Sequence, residues 1–235
     1  MALGNKTLGD LLDPITKQLD HVTVADAVEM PTWEFKPQRL TDGLSHEQLI
    51  EMFVDEAAKI RVEVHKCSKD NLAKCIGDIV AAGTPDSGDS CSVVCAADER
   101  FESADLIAAL KRRKRVEDVH VWDETLGQEN VDKALVATYG ITYATAGIAE
   151  TATIVQPTNP KCGRAVSLLP LVHIAVVDAS TIVPTMLEVM QEYGAKGKLP
   201  SQVCFISGPS ATADIELVRV EGVHGPMYVH YVLVA

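Results

Sequence analysis

The sequence predicts an α/β fold whose mainly parallel sheet is covered by helices on both faces. Short apolar runs that suit buried strands alternate with segments in which apolar residues recur at helical spacing. Alternating strands and helices form parallel sheets, because each crossover helix packs back onto the sheet. Hydrophobic residues make up 47% of the 235 residues and aromatic residues only 5%, so we expect a core of Val, Ile, Leu and Ala. A chain of this length can bury a full core in one domain.

The sequence divides into an arm and a single domain. Residues 1–43 are predicted to form an N-terminal arm with a short helical turn, since prolines interrupt anything longer. Residues 44–235 are predicted to form the α/β domain. Its first helix is expected to begin at Ser45, because Ser45 and Gln48 have the spacing of a capping box. The apolar stripe of this helix continues to Val64.

Apolar runs, caps and turn residues predict the remaining elements. Strands are predicted at residues 91–97, 119–122, 141–144, 153–156, 171–178 and 202–207. Helices are predicted at residues 69–82, 103–114 and 130–139, and from a cap at Ser180 or Thr181 to Tyr193, with Gly194 after it. The last two strands, residues 216–220 and 227–234, are joined by a connection too short for a parallel crossover. We therefore predict a C-terminal antiparallel β-hairpin.

Charge and hydropathy exclude several classes of protein. The formal net charge of −12 argues against nucleic-acid binding, which depends on neutralising phosphates, and against a polybasic membrane anchor. No apolar run is long enough to span a bilayer, and the first residues lack the pattern of a signal peptide. We therefore expect a cytoplasmic protein that binds neither nucleic acid nor membrane.

The six cysteines include no CxxC pair. Cys91 and Cys95 fall on one face of a predicted strand, where thiols act as small buried hydrophobic groups. On this spacing we expect neither a metal site nor an iron–sulfur cluster within the chain.

A loop rich in hydroxyl groups follows the predicted strand at residues 202–207. Hydroxyls and free backbone N–H groups can form an anion-binding nest, and a glycine permits close backbone approach. Ligands of open α/β sheets bind at the carboxyl ends of strands, so the loop predicts a site for a small anionic ligand. An ordinary tight turn fits the spacing equally well. The binding candidates here are Ser207, Gly208, Ser210, Thr212 and Asp214.

Further candidates lie in other polar segments. Glu150, in a Thr-rich loop, is a candidate general base or a surface carboxylate. Arg164 is a candidate partner for a carboxylate or phosphate, or a surface residue. His224 either takes part in chemistry or shapes its turn. The catalytic candidates are therefore Glu150, Asp214 and His224. The chain has no GxSxG and no GxGxxG, which argues against a nucleophile elbow and a Rossmann dinucleotide site.

Six sequence blocks occur together in a characteristic order. They are TWEFKPQ (32–38), WDETLGQEN (122–130), GITYATAGIAETATIV (140–155), GRAVSLLP (163–170), STIVP (180–184) and FISGPSATADIELVRVEGVHGP (205–226). In order and spacing they resemble the LutC/YkgG-type lactate-utilisation family, whose domain is called LUD. One position departs from the family: Ala152 stands where the family usually has a glycine, and alanine lacks freedom at positive φ.

The resemblance implies a fold similar to that of ribose-5-phosphate isomerase, glucosamine-6-phosphate deaminase and CoA-transferases. It also implies a subunit of the L-lactate utilisation system, which oxidises L-lactate to pyruvate together with iron–sulfur partner proteins. The clusters belong to those partners, so no cofactor is expected in this chain. Catalytic residues do not follow from the resemblance, and two alternatives stay open. One is a stand-alone enzyme acting on a sugar phosphate or an acyl-CoA; the other is a non-catalytic assembly subunit.

Overall fold

The computed structural model describes residues 38–197, 199–213 and 220–235. The strands are β1 (Glu63–Cys67), β2 (Cys91–Cys95), β3 (Val116–Val121), β4 (Tyr139–Tyr143), β5 (Ala146–Ile148), β6 (Thr153–Pro157), β7 (Val172–Asp178), β8 (Ile182–Val183), β9 (Val203–Ile206), β10 (Ala211–Thr212), β11 (Val220–Glu221) and β12 (Tyr228–Val234). The α-helices are α1 (His46–Lys59), α2 (Leu72–Ala82), α3 (Glu99–Ser103), α4 (Leu106–Lys111), α5 (Gln128–Val136), α6 (Ala165–Leu168) and α7 (Met186–Lys196). Short 3₁₀ turns cover Lys69–Asn71, Ala149–Thr151 and Ala179–Thr181.

The main sheet has six strands in the order β1-β12-β7-β4-β2-β3. Every neighbouring pair in it is parallel. A second sheet of four strands has the order β8-β5-β6-β9, with β6 antiparallel to both of its neighbours. The prediction of an α/β fold with a mainly parallel sheet is confirmed.

Helices cover both faces of the main sheet, as predicted. One face packs against α1 and part of the small sheet, and its core includes Phe53 stacked on Tyr231 with ring centroids 5.5 Å apart. The opposite face packs against α2 to α6 around a larger apolar cluster. Gly140 lets α6 approach the sheet, because a Cβ atom at this position would lie 1.9 Å from the Val166 carbonyl oxygen.

The predicted C-terminal hairpin is wrong. Strand β12 lies between β1 and β7 and is parallel to both, so both of its edges are occupied. Of the predicted strand over residues 216–220, only Val220 lies within the described residues. It belongs to β11, which pairs with β10 in a separate two-stranded ribbon. The sequence YVHYVLV of β12 is apolar almost throughout, and all of its residues except Tyr228 are buried. That pattern suits a central strand covered on both faces.

Strand β1 replaces the predicted end of the first helix. The capping box at Ser45 and Gln48 is confirmed and starts α1 as expected. However, the chain leaves the helix at Ile60, and Arg61 adopts a left-handed conformation with φ 62°. The apolar stripe therefore continues into a strand, and Val64 lies in β1.

The predicted helix over residues 103–114 is shorter than expected. It forms α4 only over Leu106–Lys111, and a separate short helix, α3, precedes it and ends at Ser103. Asp105, the N-cap residue of α4, has φ 52°, a left-handed conformation that separates α4 from α3. Leu106 and Leu110 of α4 are fully buried, which indicates that the break serves packing. Propensity alone does not reveal such a turn, since tertiary contacts override it.

Two other helix boundaries differ from the predictions. The segment 130–139 forms α5 only as far as Val136, because Tyr139 begins the buried strand β4. The helix predicted from Ser180 or Thr181 begins later, where Thr185 and Glu188 form a capping box. It continues through Gly194 to Lys196 and ends at the left-handed Gly197.

The N-terminal arm predicted over residues 1–43 lies almost entirely outside the described residues. Within the part of the chain that the structure describes, no helix has the length and apolar character needed to cross a membrane.

Candidate functional site

A cleft of about 500 Å³ opens beyond the carboxyl ends of β2 and β4. The chain leads from β2 to β3 on one side, and from β4 to β7 on the other. These neighbouring strands therefore form a topological switch point, where open α/β sheets bind ligands. The polar side chains and the thiol that line the cleft belong to Asp98, Glu99, Arg100, Tyr143, Gln156, Asn159, Lys161 and Cys162.

Asp98 and Arg100 form a two-pronged ion pair directly after β2. Asp98 caps α3 by accepting a hydrogen bond from the Arg100 backbone N–H at 3.0 Å. The Arg100 side chain folds back, so that Nε donates to Oδ1 at 2.7 Å and Nη2 donates to Oδ2 at 2.6 Å. Burial opposes ionisation of Asp98, but its hydrogen bonds with Arg100 outweigh burial and lower the pKa of the carboxyl. Both groups are therefore charged at neutral pH.

The Arg100 guanidinium also lies against an aromatic ring. Its Cζ atom is 3.4 Å from the centroid of the Tyr143 ring, which is a cation–π contact. Tyr143 is the last residue of β4, and Phe101 supports its ring at a centroid distance of 5.6 Å. Burial raises the pKa of Tyr143, although the nearby Arg100 charge partly opposes this. The tyrosine hydroxyl is therefore protonated at neutral pH.

The opposite wall comes from the segment after β6. The Lys161 carbonyl accepts a hydrogen bond from the Ala97 N–H at 2.9 Å, which ties this segment to the end of β2. The Lys161 ammonium lies 3.0 Å from a Glu99 carboxylate oxygen, and both side chains are largely exposed. Such an exposed pair is weak, so Lys161 can exchange this partner for a ligand.

Gln156 and Cys162 form the buried base of this wall. Among the described residues, the Gln156 Oε1 atom is buried without a hydrogen-bond partner. An unpartnered buried oxygen beside a cleft indicates a place for a water molecule or a ligand donor. Burial raises the pKa of the Cys162 thiol to about 12, so this group is not a thiolate nucleophile at neutral pH.

The predicted anion-binding loop does not lie at the carboxyl ends of the main sheet; it lies near the amino ends of β12 and β1. Ser210 N–H donates to the Pro226 carbonyl at 2.9 Å, and Gly208, with φ +76°, packs so closely on Ile60 that a Cβ would lie 2.8 Å from its carbonyl oxygen. Pro226 and Ile60 lead into the amino ends of β12 and β1, and Thr212 lies in β10. The carboxyl-end rule does not apply here, because β9 belongs to the mixed sheet.

The structure brings Ser207 together with the Thr-rich loop. The hydroxyls of Thr151 and Thr153 are 2.7 Å apart, and the Thr153 hydroxyl is hydrogen-bonded to that of Ser207. Tyr231 connects the same loops, since its hydroxyl donates to the Ala152 carbonyl at 3.0 Å and accepts from the Gly208 N–H at 3.4 Å. These contacts fix the two loops to the sheet.

The other sequence candidates are dispersed. Glu150 lies in the 3₁₀ turn beside this loop, and its N–H donates to the Pro184 carbonyl at 3.2 Å. Arg164 is exposed, and its Nη1 donates to Gln202 Oε1 at 2.9 Å. His224 is exposed in the turn before β12, near the amino end of that strand. Asp214 lies outside the described residues. A ligand-binding role for these residues remains a prediction.

Sequence reasoning missed the cleft. The signal was present, because the charged run Asp98-Glu99-Arg100 directly follows the strand predicted at residues 91–97. The carboxyl-end rule, applied to that strand, would have identified Asp98 and Arg100. Lys161 carried no comparable signal, since its place depends on how the two sheets meet.

Comparison with known proteins identifies the family. A family model described as the LUD domain matches residues 50–234. The chain is 35% identical over 214 residues to "Lactate utilization protein C" of Anoxybacillus flavithermus, covering 90% of this chain and 92% of that one. It is 34% identical to the protein of the same name from Bacillus subtilis, covering 95% and 94%.

A solved structure supports the fold. A DUF162 family protein from Deinococcus radiodurans superposes with a TM-score of 0.55 at 20% sequence identity, covering 82% of this chain and 99% of that one. At this identity the likeness concerns the fold alone. The family match and the relatives together show that the chain belongs to the LUD-domain family.

Proposed function

We propose that this chain is a subunit of an L-lactate utilisation system and supports oxidation of L-lactate to pyruvate together with iron–sulfur partner proteins. The names of relatives that align over most of the chain support the role in lactate utilisation. The partners are inferred from the resemblance of the sequence blocks. The absence of a CxxC pair from the sequence is consistent with clusters that reside in the partners.

We further propose that the cleft beyond the carboxyl ends of β2 and β4 binds a small carboxylate. The observation that carries this proposal is the way in which Asp98 holds the Arg100 guanidinium. Its Nε and Nη2 atoms are held by Asp98, so the guanidinium is fixed. Among the residues that the structure describes, none accepts a hydrogen bond from its Nη1 group, which can therefore donate to a ligand. Lys161 supplies a second cation on the facing wall. A fixed guanidinium loses little conformational freedom when it binds a carboxylate.

The binding test is a titration of the purified protein with L-lactate and with pyruvate, in which binding is measured by calorimetry or NMR. We expect saturable binding of one of them, and Arg100→Gln should weaken it by about tenfold or more, as for the loss of a charge-assisted hydrogen bond. Arg112→Gln is the matched control, because Arg112 is an exposed arginine paired with Asp105 away from the cleft. Unchanged binding in a folded Arg100→Gln variant would exclude the cleft as the binding site. Loss of binding in Ser207→Ala would instead favour the loop that follows β9.

The cellular role is tested by deleting the gene and measuring growth on L-lactate. We expect growth to fail and to be restored by the wild-type gene. Normal growth of the deletion strain, with no duplicate gene, would contradict the proposed function. If Arg100→Gln restores growth fully, the chain acts as an assembly subunit without a required ligand. Turnover of a sugar phosphate or an acyl-CoA by the protein alone would instead favour the stand-alone enzyme.

A further inference from the structure

The structure points to a second site, which is unrelated to the cleft. We propose that Glu63, His65 and His230 form a binding site for a divalent transition-metal ion, with Zn²⁺ as the best match. The three side chains lie on β1 and β12, at the edge of the main sheet that is far from β2 and β3. Spacing along the sequence gives no sign of this site, because its two histidines are 165 residues apart.

Strand geometry places the three side chains on one face. Glu63 and His65 are two residues apart on β1, so their side chains point to the same side of the sheet. His230 stands opposite Glu63 in the parallel register of β1 and β12. This face is the one that packs against α2, since the next residue in the same alternation, Cys67, joins the core beneath that helix.

The distances between the ligand atoms fit tetrahedral coordination. His65 Nε2 and His230 Nδ1 are 3.2 Å apart. The Glu63 Oε2 atom lies 3.4 Å from His230 Nδ1 and 3.8 Å from His65 Nε2. Zinc–nitrogen bonds of about 2.0–2.1 Å at tetrahedral angles separate neighbouring ligand atoms by roughly 3.3–3.4 Å. The three atoms therefore need only small side-chain adjustments to converge on one ion.

The donor set is typical of zinc. Two imidazole nitrogens and one carboxylate oxygen form a borderline-soft set that suits Zn²⁺ better than Mg²⁺ or Ca²⁺, which require oxygen ligands. Burial is the largest effect on both histidines and lowers the pKa of each, so the imidazoles are neutral and available as ligands at pH 7. Three protein ligands leave the fourth position open for water or a substrate atom.

A groove of about 540 Å³ between β1 and α2 gives access to the site. His65 lines this groove, and Glu63 at the strand end is exposed. The groove also contains the thiols of Cys67 and Cys75. These two thiols are the alternative ligands that an experiment must distinguish from the histidine site.

The test is metal binding by the tag-free, full-length protein after chelator treatment. Zn²⁺ is titrated in competition with a chromophoric chelator, and Co²⁺ serves as a spectroscopic probe. We expect one equivalent to bind, with visible Co²⁺ bands of a four- or five-coordinate site and no thiolate charge-transfer band. Zn²⁺ should also raise the melting temperature of the wild-type protein.

His65→Ala should weaken binding by more than the roughly 10–100-fold typical of outer-shell partners, and Glu63→Gln should weaken it by about tenfold. Both residues lie on the edge strand, so these variants test the site even if the buried His230→Ala variant fails to fold. The matched control is the double variant Cys67→Ser/Cys75→Ser, which should bind like the wild type. Three results would overturn the proposal. They are stoichiometric binding by the His65→Ala variant, loss of binding in the cysteine variant, and no binding by the wild type.

Discussion

At the scale of single residues, Ala152 occupies a conformation that usually requires glycine. Its φ is 46°, in the left-handed region, and its methyl group is completely buried. The left-handed conformation costs an L-residue roughly 1–2 kcal/mol. Burial of the methyl group returns about 0.8 kcal/mol. The loop therefore holds an alanine in a left-handed conformation at little net cost, and Tyr231 anchors it through the Ala152 carbonyl.

These two opposing contributions to stability predict the effect of replacing Ala152 with glycine. Ala152→Gly should change the free energy of unfolding by less than about 1 kcal/mol, because relief of the strained conformation offsets the lost methyl group and the greater freedom of the unfolded chain. Ala149→Gly is the matched control, since Ala149 is equally buried in the adjoining 3₁₀ turn. It should lose about 1.5–2 kcal/mol in urea unfolding. Equal losses in the two variants would refute the argument.

His173 makes stability depend on pH. It is fully buried in β7, where its Nε2 is hydrogen-bonded to the Thr142 hydroxyl at 2.9 Å. Desolvation lowers its pKa to about 3, against an ordinary value near 6.5. Between these values the unfolded chain binds a proton that the folded protein does not. Stability is therefore complete above the unfolded pKa and is lost as the pH falls towards 3.

The expected loss from His173 is about 2 kcal/mol at pH 5 relative to pH 8. His173→Gln removes the titrating group and keeps a hydrogen-bonding side chain towards Thr142. Its free energy of unfolding should therefore fall less steeply with pH than that of the wild type. Denaturant unfolding of both proteins between pH 5 and pH 8 checks this. Parallel curves would show that the burial of His173 does not control the slope.

At the scale of elements, the sequence predicted most strands but not how they pair. Buried strands such as β2 and β7 were evident as apolar runs with turn residues around them. The order of strands was not evident, because it depends on contacts between distant segments. The same reason hid the cleft, whose Arg100, Tyr143 and Lys161 come from three separate segments. The predicted hairpin failed because a short connection excludes a parallel pair but does not require the two strands to pair.

Close packing of α6 on β4 gives a prediction at this scale. A methyl group at Gly140 would collide with the backbone of α6 at Val166 and with the Pro170 ring, at 1.9 and 2.8 Å. Gly140→Ala should therefore lower the free energy of unfolding by about 3 kcal/mol or more, since backbone cannot move aside as a side chain can. Gly194→Ala is the control: Gly194 lies in α7 with open space around it, and alanine there should add up to about 1 kcal/mol. Similar melting temperatures for the two variants would contradict this account.

At the scale of the whole molecule, the fold is completed by the last segment of the chain. Strand β12 is inserted between β1, which comes early in the chain, and β7. It supplies buried residues to the cores on both faces of the sheet, Tyr231 to one and Val232 to the other. The pairing of β12 with β1 closes a large loop, which costs chain entropy, and the sheet is incomplete without residues 228–234.

Removal of residues 228–235 should therefore prevent cooperative folding rather than shorten one edge of the sheet. The truncated chain would leave β1 without a partner in the main sheet and expose the unpaired edge of β7, which favours aggregation. Deletion of Ala235 alone is the control, because this exposed residue follows β12. We expect the control to unfold cooperatively near the wild-type melting temperature, and the longer truncation to show no cooperative transition in circular dichroism. A cooperative transition in the longer truncation would mean that β7 and β4 form a stable sheet without β12.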